Sequence, residues 1–190
     1  MLFTKRNELT VAEGLIKQDV TLPDGATAVR VNLKYPDFKC KKANKLSLFA
    51  IPFYKSVVNA VLEYSKGDFK KAALTAYTER KESFLPYSAV MRWENAFENS
   101  EYISIILEIC FSYGEKRSNE KSFQVWSKRD GKKCPYSDFI TKEKLKEIKS
   151  TLPKEEQKLF NKSDFVLRDG FLEFYIKSDD GYKIATADLG

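Results

Sequence analysis

Histidine is absent from the 190 residues. Without an imidazole, the Ser-His-Asp and Cys-His triads, His-ligated zinc and H-E-x-x-H hydrolysis are all excluded. Cysteine is scarce: Cys40, Cys110 and Cys134 are widely spaced and form no C-x-x-C pair. That pattern argues against a zinc ribbon or a redox dithiol and points to a reducing compartment. No Walker loop and no G-x-G-x-x-G occur, so nucleotide cradling has no support. No apolar run is expected to approach the roughly 18 residues of a membrane span. Glu8, Glu13 and Lys17 break up the region where a signal core would lie. The expected location is therefore the cytoplasm, or the cell envelope or exterior if a leader has been removed. No metal and no cofactor are expected.

Charged residues make up 32% of the chain and hydrophobic residues 43%, a balance suited to a globular domain with its own core. The net charge of +6 is uneven. Residues 34–81 carry eleven basic and four acidic groups, and residues 113–162 carry fourteen and eight. Positive charge thus gathers on predicted helices and one loop. Such a face suits nucleic acid or an anionic polymer, and a lysine-rich solvated surface accounts for it equally.

Four glycines follow aspartate, at Asp24-Gly25, Asp130-Gly131, Asp169-Gly170 and Asp180-Gly181. Asp-Gly between apolar runs signals a tight turn, because the turn positions need φ > 0. The first pair is expected to join strands over Gly14–Leu22 and Ala26–Tyr35, with Pro36 ending the second. Between Ala43 and Lys81 the period changes to 3.6. Phe53, Val57 and Val61, with Tyr54, Val58 and Leu62, make one apolar stripe. Pro52 begins or kinks that helix, and Asp68 is placed to cap a second one.

From Ser88 the pattern is strand again, with Ile103–Phe111 the longest alternating run. A polar loop over Gly114 to Glu120 and a strand over Ser122–Lys128 complete an expected antiparallel meander. Thr141 is a helix N-cap, Pro153 marks another helix start, and strands close the chain. The fold class expected is α+β: an antiparallel meander with helices on one face. Residues 1–190 form a single domain in this reading, with sub-lobes at 28–113 and 114–187.

Three carboxylate pairs invite a hydrolytic reading: Asp179-Asp180, Glu155-Glu156 and Glu94/Glu98. Each has a plainer explanation in a turn, a helix start or a solvated strand face. Cys134 beside Lys132 and Lys133 raises the question of a lowered thiol pKa. Trp126 lies across the strand from Phe123 and Val125, next to Lys128 and Arg129, where an aromatic suits binding.

The order of signals resembles a known pair of domains of unknown function. The carriers are Tyr35-Pro36, then Asn44 opening a helical stretch, then the Ser88–Tyr113 strands. These are similar to a domain found in the lysozyme-sensing anti-sigma factor of Gram-positive bacteria and ahead of the catalytic domain of a peptidoglycan deacetylase. Phe123–Ser127, Asp130-Gly131-Lys132, Ser137-Asp138-Phe139 and the run Phe165 to Phe174 resemble its companion domain. The likeness covers residues 28–187. It departs where the family has a Gly-Gly-Ala-His loop, since Tyr113-Gly114 is here followed by Glu115-Lys116-Arg117. The resemblance implies a non-catalytic recognition module for a protein or peptidoglycan partner; family members are usually envelope proteins behind a membrane anchor, and none is expected in this sequence.

The expectation is thus of a binding module, not an enzyme. Contact is centred on the Tyr113–Glu120 loop and the strand around Trp126, with Tyr113, Lys116, Arg117 and Trp126 as binding residues. Nucleic acid is not the favoured partner. The alternatives are a basic-surface polymer binder and a carboxylate-based hydrolase.

Overall fold

The structure, a computed structural model, describes residues 9–40, 44–179 and 181–190. Strands β1 (Leu9–Thr21) and β2 (Thr27–Cys40) lead into helices α1 (Lys45–Lys66) and α2 (Asp68–Glu79). Strands β3 (Tyr87–Glu98), β4 (Tyr102–Tyr113) and β5 (Lys116–Ser127) follow. Helices α3 (Lys142–Thr151) and α4 (Lys154–Leu159) precede β6 (Phe165–Leu167), β7 (Phe171–Ser178) and β8 (Gly181–Asp188). The class is α+β, with a five-stranded sheet ordered β1-β2-β3-β4-β5 and a three-stranded sheet ordered β6-β7-β8.

The larger sheet is mixed rather than wholly antiparallel, because β2 and β3 run parallel, from Val29↔Tyr87 to Leu33↔Met91. A parallel neighbour requires a crossover, and α1 with α2 supplies it. The β3-β4-β5 meander holds, since its links are too short for anything but hairpins. Pro36 does not end β2: it pairs with Glu13 in the β1 ladder. The β3 ladder has already stopped at Leu33, so the missing N–H falls where no partner needs it.

The chain divides into two compact units, Met1–Trp93 with Leu107–Lys121, and Glu94–Ile106 with Ser122–Gly190. Strands β3, β4 and β5 each give residues to both. The 113/114 boundary expected between sub-lobes lies inside the first unit.

In the first unit, Asn44 opens α1 through a reciprocal capping box, its Oδ1 accepting from Ser47 N at 2.7 Å. Leu46, Ala50, Tyr54, Val58 and Val61 form the buried stripe. Pro52 sits inside α1, so of its two expected roles it takes the interior one. By length and composition alone, the run Lys45–Glu79 is long and apolar enough to cross a membrane, with a third of its most apolar window buried in the fold. Ser, Asn, Tyr and Pro dilute the run, which hides it from a search for unbroken apolar stretches. Asp68 does not cap α2, because α2 starts directly after Gly67; Asp68 pairs instead with Lys71 at 3.0 Å. Tyr77 donates to Asp24 Oδ2 at 2.8 Å, tying α2 to the β1–β2 turn. That bond, then Ala26 N and Lys81, lowers the Asp24 pKa.

In the second unit, Phe165, Leu172, Phe174 and Ile176 form a core with Val125 and Ile140. Ile106, Phe123, Val166 and Tyr175 form another, in which the Phe123 and Tyr175 rings stack at 4.4 Å. Thr141 caps α3, accepting from Lys144 N at 3.2 Å. The buried Ser104 hydroxyl accepts from Leu167 N at 3.0 Å. Arg168 Nε donates to Glu173 at 2.9 Å, and its Nη1 donates to Glu94 at 3.1 Å and to the Ala96 carbonyl at 2.7 Å. Burial alone would lower the Arg168 pKa, but bonds to Glu173, Tyr175 and Glu94 outweigh it and raise the value.

Candidate functional site

The segment read as a polar loop is a hairpin. Strand β4 runs to Tyr113, Gly114 and Glu115 make the turn, and β5 begins at Lys116. Gly114 has φ +65°, which a two-residue turn demands and a side chain resists. The strand was hidden because Lys116, Arg117, Ser118, Asn119 and Glu120 are all exposed, so no apolar alternation marks a face.

Tyr113 faces the helices. Its ring lies 4.9 Å from the fully buried Phe69 and 5.5 Å from Tyr87. Its hydroxyl meets that of Tyr64 at 3.3 Å. This contact, followed by burial, pushes the Tyr64 pKa up to about 12. Tyr113, Tyr87 and Lys116 line a cavity of about 600 Å³ with Arg80, Phe84 and Leu85. Leu85 is 69% exposed, the most exposed large hydrophobic residue among those described. The combination offers two tyrosines as a floor, an aliphatic group at the rim, and mixed charge, since Glu79 and Glu115 line it with Arg80 and Lys116.

Arg117 is not in this cavity. Strand alternation turns it to the other face of the sheet, where it lines a second cavity with Arg92. Trp126 belongs to the second unit and is 4% exposed, with Lys133 Nζ 5.5 Å from its ring. Its ring is packed and is not displayed for a partner, because both faces of β5 are covered from Phe123 to Trp126. The four predicted binding residues therefore separate, with only Tyr113 and Lys116 sharing a cavity.

Two of the three carboxylate pairs are engaged by cations. Glu94 meets Arg168, Glu98 meets Lys128 at 2.6 Å, Glu155 meets Lys158 at 3.0 Å, and Glu156 meets Lys183. Asp180 lies outside the described residues. No group of three metal-ligating side chains occurs among the described residues. Cys134 reverses the idea of an activated thiol: burial, then Asp138 and Asp130, pushes its pKa up to about 11. Cys110 is a free thiol of intermediate exposure.

Sequence reasoning did not find Leu85, Arg80 or Tyr87. A signal was available in Phe84-Leu85-Pro86, an apolar pair before proline that fits neither helical nor strand spacing.

No protein-family model matches the sequence, and no curated protein sequence matches it. Solved structures do. A member of the DUF3298 family from Bacteroides fragilis NCTC 9343 superposes with a TM-score of 0.61 at 12% identity, over 96% of this chain and 91% of that one. A DUF3298 family protein from Pseudomonas aeruginosa PAO1 gives a TM-score of 0.52 at 12% identity, over 97% and 91%. At such identity the likeness establishes the fold, and the chain adopts the α+β architecture of these DUF3298 structures.

Proposed function

We propose that this chain is a non-catalytic recognition module that takes a segment of a protein partner in the cavity beside the β4–β5 turn. The observation that carries this is the exposure of Leu85 at the rim of a tyrosine-floored cavity. A protruding aliphatic group beside aromatic residues and charges of both signs is the composition of a protein contact, where apolar anchors supply affinity and charges supply register. A glycan would instead favour an open aromatic platform, and Tyr87 and Tyr113 are half-buried against one another. The resemblance to the anti-sigma-factor and deacetylase domains supports a role in sensing at the bacterial envelope, with a wall-associated protein as partner.

The experiment is to compare wild type with Leu85→Asp and Lys116→Glu for binding to partners recovered by cross-linking and to purified peptidoglycan. Binding to a discrete protein that both variants weaken at least tenfold supports the reading. Equal binding by wild type and both variants, or binding to peptidoglycan alone, contradicts it.

A further inference from the structure

The helix-free face of the first unit carries a polar cavity of its own. Val29, Val31 and Leu33 of β2 are buried on the side covered by α1 and α2, and Tyr87, Phe111 and Tyr113 touch Phe69 on that same side. Alternation therefore presents Ser88 and Arg92 of β3, Cys110 and Ser112 of β4, and Arg117 and Asn119 of β5 on the opposite face. These residues, with Val90 and Glu108, enclose about 370 Å³, within the range of small-molecule pockets.

Arg92 and Arg117 are both exposed, and neither side chain makes an ion pair or hydrogen bond with a described residue. They stand on the two strands that flank β4 and line the same cavity, Arg117 level with Ser112 across the two-residue turn and Arg92 further along β3. From these two positions on one cavity wall, two long side chains can reach a single ligand from different sides. Glu108, the one carboxylate in the wall, is held by Asn119 Nδ2 at 2.7 Å. The wall keeps a net positive charge, with two hydroxyls and an amide between the guanidinium groups.

The geometry points to a binding site for an acidic polyol: a sugar acid or polyol phosphate whose acid group pairs with Arg92 and Arg117. Planar guanidinium forks match carboxylate and phosphate oxygens two at a time. Ser88, Ser112, Asn119 and Glu108 supply the mixed donors and acceptors that hydroxyl groups require. Val90 is the single aliphatic wall residue, too little for a lipid chain or an aromatic ring. This site is separate from the turn cavity and does not rest on its reading.

The test uses the full chain with sn-glycerol 3-phosphate and D-glucuronate as probes, and glycerol, glucose and inorganic phosphate as controls. Affinity is measured by calorimetry. Occupancy is read from the rate at which iodoacetamide alkylates Cys110, resolved by peptide mass spectrometry, with the buried Cys134 reporting that the fold is intact. A probe that binds should slow Cys110 alkylation at least fivefold, and Arg92→Gln and Arg117→Gln should each weaken it at least tenfold. Lys177→Gln, at an exposed position of the second unit, should leave both readouts unchanged. Failure of both acidic probes to bind or protect overturns the proposal. So does equal binding by glycerol or glucose, equal binding by inorganic phosphate, or unaltered affinity in both arginine variants.

Discussion

The two units use similar residues to opposite ends. In the second, charged and aromatic side chains are built into the framework: Arg168 is held by Glu94, Glu173 and the Ala96 carbonyl, Lys128 by Glu98, and Trp126 is buried. In the first, Arg92 and Arg117 stand in a cavity wall without an ion partner among the described residues, and Leu85 projects from the rim of another cavity. An arginine that has its carboxylates already is part of the architecture; one without them is available to a ligand. The proposed recognition role accordingly rests on the first unit.

The largest expected effect is at Phe69, the fully buried ring that touches Tyr64, Tyr87, Phe111 and Tyr113. Phe69→Ala should cost about 3–5 kcal/mol in denaturant unfolding, because it removes the buried ring against which Tyr87 and Tyr113 pack. Next comes Arg168→Ala, which strands Glu173 and leaves the Ala96 carbonyl without its donor. Its expected cost is about 2–3 kcal/mol, since the guanidinium is partly solvated. A cost under about 0.5 kcal/mol would erase the contrast between the units, because that is the ordinary range for a surface substitution.

Gly114→Ala should cost about 1 kcal/mol, with Gly114→Asn milder, because φ +65° is strained for a side chain although the space there is open. Cys134 gives a pH signature. Its pKa is raised from 9.0 to about 11 in the folded chain, so the unfolded chain loses the proton first as pH rises. Stability from this group is full below pH 9 and declines from pH 9 towards 11. Cys134→Ala should flatten that alkaline limb in unfolding curves collected at pH 8 and pH 10. The smallest effect is at Arg92→Gln and Arg117→Gln, each expected within about 0.5 kcal/mol of wild type.

What could be read from the sequence follows from where burial leaves a periodic trace. The stripe of Tyr54, Val58 and Val61, the Thr141 cap and the Asp169-Gly170 turn are local signals, and each has its expected place in the structure. The meander was legible but the first half of β5, Lys116–Glu120, was not, because both of its faces are polar and alternation disappears when neither face is buried. The parallel β2–β3 pair is a long-range choice that no short window contains. Of the candidate site, Tyr113 and Lys116 were found through the turn they flank. Arg92, Ser88 and Leu85 were not, since only the register of neighbouring strands and the path after α2 place them beside a cavity.

The most direct test is amide chemical-shift mapping of the full chain during titration with its partner segment. The expected result is perturbation clustered at Leu85, Tyr87, Tyr113, Gly114 and Lys116, with the amides of Trp126, Arg168, Glu173 and Tyr175 unmoved. Perturbation centred on Trp126 or on the Arg168 network, with the β4–β5 turn silent, would contradict the assignment of recognition to the first unit.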